Sequence, residues 1–266
     1  MTFDLYKFHG AGNDFLLVND PDKTFPDKDV EKIALLCHRH FGIGADGLML
    51  LQPSSVAAFK MVYFNSDGKE GSMCGNGGRC IVAFAELMGV IYHKKIIRFE
   101  AIDGLHDAEI LTSEKNISIV SLGLSSVRSA EKIDDGWFLN TGSPHFVTFV
   151  DNANEVDVVA LGRKLRYDQR FAPAGANINF VEKRSGSLYV RTYERGVEDE
   201  TLSCGTGVTA SVIAAYFEKK CSNLCDVNTR GGNLVVSFQE NNGVISDLKL
   251  QGPAEFVFKT TISFYI

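Results

Sequence analysis

The sequence predicts an α/β (α+β) chain of two pseudo-symmetric domains, and three observations carry that expectation. Two short stretches resemble each other: Met73-Cys74-Gly75-Asn76-Gly77-Gly78 and Ser203-Cys204-Gly205-Thr206-Gly207-Val208. Each precedes a run with helical spacing. The first holds Ile81, Val82, Phe84, Ala85 and Met88 and is closed by Gly89. The second holds Val208, Val212, Ile213 and Phe217, with Lys219 and Lys220 in the expected last turn. Such spacing suits a helix with one buried face, and terminal lysines suit its dipole. Lastly, the order glycine-rich loop, strand, polar turn, Cys-Gly-x-Gly, helix occurs twice, with Asn65 and Glu194 nine and ten positions ahead of the cysteines. That is the pattern of an internal duplication.

Taken in order, Phe3–Phe8 and Leu16–Asn19 read as strands around Gly10-Ala11-Gly12-Asn13-Asp14-Phe15. That loop suits either a tight hairpin turn or close approach to a ligand, with Asn13 as donor and acceptor. Val30, Ile33, Ala34 and Cys37 give residues 27–40 a helical period, which makes Cys37 a core residue. On that helix His38 and His40 would not share a face. Gly42–Gly47 ends the helix before a strand at Leu48–Leu51, and Ala57–Phe64 forms another that closes in Asn65-Ser66-Asp67-Gly68. Asn65 is therefore either a turn former or a side chain delivered beside the first cysteine.

The stretch from Lys95 to Leu122 is strand-like, with breaks at Gly104 and Ser113–Asn116. After a Ser-rich passage, Trp137–Leu139 and Phe146–Val150 read as strands around Thr141-Gly142-Ser143-Pro144-His145. Asp157 caps a predicted helix to Arg166 whose face is Val158, Leu161 and Leu165. Gly175-Ala176-Asn177-Ile178-Asn179-Phe180 resembles the first glycine-rich loop, and a strand over Leu188–Tyr193 then leads through Glu194-Arg195-Gly196 to the second cysteine. The expected boundary falls near 121–124. By pattern alone, the last segment could return to either half.

A cysteine at a helix N-terminus sits among free backbone N–H groups that lower a thiol's pKa and favour a bound anion. Two such thiols suit inversion of a stereocentre without a cofactor, one taking a proton and the other giving one. Backbone N–H groups around a carboxylate would stabilise the charge left when the α-proton departs.

With 266 residues and a net charge of −6, the chain has ample core and no basic surplus for nucleic acid or an anionic membrane. No apolar run reaches transmembrane length, and six cysteines in a chain this long make no disulfide scaffold. The first residues lack a signal-peptide layout, so a reducing cytoplasm is expected. Cys80 reads as packed on its helix. Cys221 and Cys225 have no companion pair at a zinc spacing and read as structural thiols, so no metal is expected.

The stretches FHGAGNDF, GIGADG, NSDG, MCGNGGRC, SPHFV, GANINF, ERGVEDETLSCGTG and GPA together resemble the diaminopimelate epimerase family, in its order and over essentially the whole chain. The resemblance implies two domains, 1–121 with 256–266 and 122–255, each a barrel-like mixed sheet around a central helix, with the active site in the interdomain cleft and the C-terminal strand completing the first domain. It implies cofactor-independent interconversion of LL- and meso-2,6-diaminopimelate in lysine and peptidoglycan precursor synthesis. By it, Cys74 and Cys204 are the acid/base pair, supported by His145 and Glu194. Gly75, Asn76, Gly205 and Thr206 would hold the α-carboxylate region, and Asn13, Asn65, Asn177, Glu194 and Arg195 would contact substrate. Glu194 could keep one cysteine protonated. The expected partner is the amino-acid substrate, and the expected assembly a homodimer. Reversible inactivation on mild oxidation is also expected.

Two positions depart from the family pattern. Ser143 stands where many members have Asn, and Gly47 where some have Gln. His145 could instead be a capped loop histidine, and Glu194-Arg195 a surface ion pair. Competing functions are a proline- or hydroxyproline-type racemase or phenazine-type isomerase on the same fold, a thiol redox protein, and a noncatalytic binding module. The polar groups expected around the distal end of the substrate disfavour proline, and the spacing lacks the CxxC of a redox pair.

Overall fold

The structure, a computed structural model, describes residues 2–71, 73–92 and 96–264. Lys95, at the start of one expected strand-like stretch, and Tyr265 and Ile266, at the end of another, lie outside the described residues. The elements run β1 (Thr2–Gly10), β2 (Asn13–Asn19), α1 (Val30–Cys37), β3 (Gly47–Gln52), β4 (Lys60–Asn65), α2 (Gly75–Leu87), β5 (Ile97–Ala101), β6 (Gly104–Glu114) and β7 (Ile117–Gly123). They continue β8 (Ala130–Ile133), β9 (Gly136–Asn140), β10 (Pro144–Phe149), α3 (Val158–Arg166), β11 (Asn177–Arg184), β12 (Ser187–Glu194), β13 (Asp199–Thr201), α4 (Gly205–Phe217), β14 (Leu224–Thr229), β15 (Gly232–Asn241) and β16 (Val244–Ser263). Two compact units result, Met1–Leu122 with Gly252–Ile266, and Gly123–Gln251.

In the first unit β1 to β7 follow one another as neighbours, and the distal part of β16 pairs with both β7 and β1. The sheet therefore closes into an eight-stranded barrel. In the second unit the order is β16-β15-β14-β12-β11-β10-β9-β8, and Val127, just ahead of β8, bridges back to Ile245 of β16. Closure pairs the strands that would otherwise be edges, and the short β13 lies off this path against β12.

The pairing directions repeat as well. From β1 to β6 the neighbours are antiparallel, parallel, antiparallel, parallel, antiparallel. From β9 through β10, β11, β12 and β14 to β15 the same alternation recurs. The repeat corrects one sequence equivalence. Parallel pairing sets Phe15 against Gly47 and His145 against Asn177, so both Gly47 and Asn177 open the second strand of a parallel pair. The structural counterpart of the 175–180 segment is thus the loop entering β3, and the Gly10–Phe15 loop matches the one entering β10.

Both central helices depart from the expected single buried face. α2 is buried from Gly75 to Ala85 and packs on β1, β2, β3 and β6. α4 is buried from Val208 to Ala215 against β9–β12, β14 and β15. A helix inside a barrel has no solvent side, and each fully buried Ile, Val or Phe contributes roughly 1.5–3 kcal/mol. Thr209 and Ser211 are tolerated there because their hydroxyls donate to Gly205 O at 2.9 Å and Gly207 O at 2.7 Å. α4 also ends sooner than expected, so Lys219 and Lys220 lie beyond its last turn.

Smaller differences have local causes. α1 stops at Cys37, so His38 and His40 are past the helix, where His38 Nδ1 accepts from the backbone of His40 and Phe41. Cys37 is buried in the α1 core with Ile33. Asp157 caps α3 as expected, accepting from Ala160 N at 3.0 Å, but Leu161 is exposed and Gly162 is the buried contact. The Ala11-Gly12 turn joins β1 to β2 with both residues at positive φ (52° and 86°), the geometry of a two-residue hairpin. The same turn approaches α2, because a Cβ on Gly10 would lie 3.0 Å from Asn76 O. Among the described residues no helix is long and apolar enough to cross a membrane.

Candidate active site

In the first unit Cys74 is the extended N-cap residue of α2 (φ −111°, ψ 127°), and its carbonyl receives the first helical bond from Gly78 N at 2.7 Å. The N–H groups of the first turn point out past the thiol because they have no intrahelical acceptor. Asn13, opening β2, lies beside it. Asn13 Oδ1 is 3.6 Å from Cys74 Sγ and 3.3 Å from Asn76 Nδ2. Its orientation is fixed from behind, since Nδ2 donates to Asp46 Oδ2 at 2.6 Å.

That anchor belongs to a charge cluster the sequence did not disclose. Arg39 bridges Asp46 and Asp14, and Lys7 donates to Asp14 and to Gly44 O. Burial works to raise the Asp14 pKa, but hydrogen bonds from Arg39 and Lys7 outweigh it and hold the carboxyl at about 2. The aspartate in GIGADG, Asp46, was the available signal, but Asp14 is 32 residues from it and 25 from Arg39.

Asn65 ends β4 opposite Gly47, at the same sheet edge as the start of β2 and β3. Its side chain is exposed and forms the turn mouth beside Gly71, where a Cβ would lie 2.8 Å from Asn65 Oδ1. Gly47 leaves no vacancy: Tyr63 fills the space, and a Cβ there would meet the Tyr63 ring and Phe64 O at 2.5 Å.

In the second unit Cys204 caps α4 with nearly the same geometry (φ −112°, ψ 108°) and is 7 % exposed. Its Sγ lies 3.5 Å from Thr206 Oγ1, which in turn lies 2.9 Å from His145 Nε2. His145 is wholly buried, as the sequence-based alternative of a loop histidine did not anticipate. Burial, reinforced by the positive charge of Arg195, lowers its pKa to about 3. It is therefore neutral.

The hydrogen bonds also fix its tautomer. Asn179 Nδ2 donates to Phe146 O at 3.1 Å while Asn179 Oδ1 accepts from Thr192 Oγ1 at 2.9 Å. With Asn179 so oriented, its Nδ2 donates to His145 Nδ1 at 3.1 Å, which leaves the proton on Nε2. Nε2–H faces Thr206 and Ser143, at 2.9 and 3.0 Å. Sequence reasoning missed Asn179 and Thr192. A Cβ on Gly207 would stand 2.4 Å from Asn179 Oδ1, so glycine there lets this amide under the helix start.

Ser143 is integrated into the same network. Its Oγ accepts from Asn177 Nδ2 at 2.9 Å. Asn177 also donates to Pro144 O and accepts from Arg195 N at 2.8 Å. Asn177 is thus a buried strut that sets the backbone of Arg195. The Arg195 guanidinium donates to Ala174 O at 3.3 Å, and among the described residues no carboxylate pairs with it. A surface ion pair with Glu194 is accordingly not formed. Glu194 ends β12 beside this loop, with Oε2 accepting from Thr201 Oγ1 at 2.9 Å. Cys221 Sγ donates to Val212 O at 3.6 Å and Cys225 Sγ to Asp226 O at 3.5 Å, and interaction between the two thiols raises the pKa of the first and lowers that of the second.

Solved structures share this architecture. A phenazine biosynthesis protein of the PhzF family from Bacillus anthracis superposes with a TM-score of 0.75 at 15% identity, covering 99% of this chain and 100% of that one. A hydroxyproline epimerase from Agrobacterium vitis, solved with bound trans-4-hydroxy-L-proline, gives a TM-score of 0.72 at 15% identity, covering 98% and 92%. These likenesses are of fold and define the class, paired α/β barrels each wrapped on a helix. Sequence narrows it. The diaminopimelate epimerase profile matches residues 5–127 and 137–257. Diaminopimelate epimerase of Flavobacterium psychrophilum is 50% identical over 260 residues, covering 97% of this chain and 99% of that one. The same-named protein of Chlorobaculum tepidum is 40% identical, covering 96% and 99%. The chain belongs to the diaminopimelate epimerase family.

Proposed function

We propose that this protein is a cofactor-independent isomerase that interconverts LL- and meso-2,6-diaminopimelate, with Cys74 and Cys204 as its two proton-transfer groups. The observation that carries the reading is the duplicated thiol at the N-terminus of a buried helix, in a chain half identical over almost its full length to a protein of that name. One thiolate removes the α-proton. The remaining electron pair delocalises toward the α-carboxylate, and the other cysteine's S–H returns a proton to the opposite face. N–H groups of Gly75, Asn76, Gly205 and Thr206 stabilise the carboxylate as charge builds on it. This proton exchange calls for neither a metal nor pyridoxal phosphate.

The hydrogen bonding supports different settings for the two thiols. Cys74 faces the acceptor Oδ1 of Asn13, which favours the protonated thiol. Thr206 receives the Nε2–H of His145, so its own hydroxyl proton is available to Cys204 and favours a thiolate there. Asn65, Asn177, Glu194 and Arg195 complete the proposed substrate contacts, with Arg195 taking the distal carboxylate. Lysine and peptidoglycan precursor synthesis, a cytoplasmic setting and a homodimer belong to the same proposal. Sedimentation velocity checks the dimer.

The test is proton NMR in D2O under reducing conditions, with LL-diaminopimelate beside L-proline. Deuterium entering one α-carbon as the meso isomer forms is the expected result. Exchange of proline alone would replace the substrate and keep the chemistry. Exchange of neither would return the redox and binding readings.

A further inference from the structure

Arg79 is the largest fully buried side chain of the described residues, with 0% of its surface exposed. Among those residues no carboxylate pairs with it. Its hydrogen bonds go to neutral oxygens: Nη1 to Gly75 O at 3.2 Å, Nη2 to Asn76 Oδ1 at 3.0 Å and Nε to Pro253 O at 3.4 Å. A buried cation without an anion is costly, so its retention needs a reason.

The reason lies one residue before the carbonyl it grips. Nη1 holds the carbonyl of Gly75, the first residue of α2, immediately after Cys74. Nη2 holds Asn76 Oδ1, which turns Asn76 Nδ2 toward Asn13 Oδ1, the atom beside the Cys74 thiol. The guanidinium therefore braces both the helix start and the amide pair around that sulfur. A Cβ on Gly10 would lie 3.3 Å from Nη2, so the hairpin seals the group from above.

We propose that Arg79 is a positioning residue for Cys74, fixing the Asn76–Asn13 amide pair and supplying the buried positive charge that a Cys74 thiolate would neutralise. This rests on the reading of Cys74 as a proton-transfer group. Two further observations support it. Burial pushes the Arg79 pKa down, opposed by the sulfurs of Cys80 and Cys74, which places both within electrostatic range. Burial lifts Cys80 to about 12, so it remains a thiol and cannot be the counter-charge. The other charged groups behind Asn13 are Asp46, Asp14, Arg39 and Lys7, and they are satisfied among themselves. Cys74 thus stands between an acceptor that favours S–H and a cation that favours S−, a balance suited to passing a proton either way.

The experiment measures alkylation of Cys74 by iodoacetamide from pH 6 to 10 in a Cys204→Ala background, located by peptide mass spectrometry. Expected is a midpoint below the ordinary thiol value near 8.5. Arg79→Met should raise that midpoint by about one unit, or roughly tenfold less thiolate at pH 7. Arg79→Lys, made with Cys204 intact, keeps the charge but loses the two-pronged grip. Its midpoint in the Cys204→Ala background should stay near that of the parent while kcat falls roughly tenfold. A parent midpoint at or above 8.5 overturns the charge role even if Arg79→Met does not fold, and wild-type kcat in Arg79→Lys overturns the positioning role. Full activity in Cys74→Ala would instead refute the underlying reading, which the alkylation midpoints do not test.

Discussion

His145 Nε2 lies 2.9 Å from the Thr206 hydroxyl and, with its other nitrogen held by Asn179, donates to it. The direction of that bond decides what Thr206 can do, because a hydroxyl that accepts from His145 has its own proton left for Cys204, 3.5 Å away. Removing the hydroxyl alone tests this. Thr206→Val keeps the shape and loses a bond to a charged sulfur, worth about 1.5–3 kcal/mol. The expected fall in kcat is roughly 10- to 100-fold, with most activity retained in Thr206→Ser. Equal rates in Thr206→Val and wild type would leave the hydroxyl without a role.

A neutral His145 has a cost in acid. Its folded pKa of about 3 lies below the unfolded value, so the folded state binds fewer protons. Stability is then full above about pH 6.5 and is lost progressively as pH falls toward 3, amounting to about 2 kcal/mol between pH 7 and 5. Urea unfolding at those two pH values should show that loss in wild type and much less of it in His145→Gln. The pH–rate profile from 6 to 9 should carry no histidine titration, since the imidazole stays neutral throughout.

These bonds mark where sequence reading stops. Cys74 and Cys204 were legible because glycine, cysteine and the following helix are neighbours in the chain, and the doubling made the pattern specific. Asn179 and Asp46 were not, because their partners are 34 and 33 residues distant and only the closed barrels bring them together. Complete burial of Arg79 runs against the ordinary placing of arginine at surfaces. The one-sided helices were misjudged for a related reason, since Thr209 and Ser211 break the apolar pattern yet are satisfied by their own helix. β14 to β16 went largely unread because half-buried strands alternate weakly, and β16 serves both units along its length.

Gly162 sets two effects of opposite sign against each other. It is in α3, where alanine would gain about 1 kcal/mol of helix propensity. A Cβ there would meet Tyr193 Cβ at 2.4 Å and Cγ at 2.6 Å. Tyr193 is fully buried and its hydroxyl donates to Glu198 at 3.3 Å, so it cannot easily retreat. Overpacking of about 1–3 kcal/mol outweighs the propensity gain. Gly162→Ala should therefore unfold at lower urea than wild type with an unchanged m-value, and a stabilised variant would show that α3 slides freely on β12.

In the proposed function, Arg195 takes the distal carboxylate of the substrate. Asn177 fixes its backbone at 2.8 Å, while the guanidinium has one long bond to Ala174 O and no carboxylate partner among the described residues. Its charge is felt at His145, where it helps keep the imidazole neutral. A fork of N–H donors can grip a carboxylate through two bonds, and a lysine cannot copy that geometry. Arg195→Met should raise the KM for diaminopimelate roughly 100-fold and Arg195→Lys roughly tenfold, on the scale of one or two bonds to a charged group. Because the proposed function puts the reacting carbon at the other end of the substrate, kcat should fall far less than KM rises. Loss of kcat with unchanged KM would move Arg195 to the reacting centre instead.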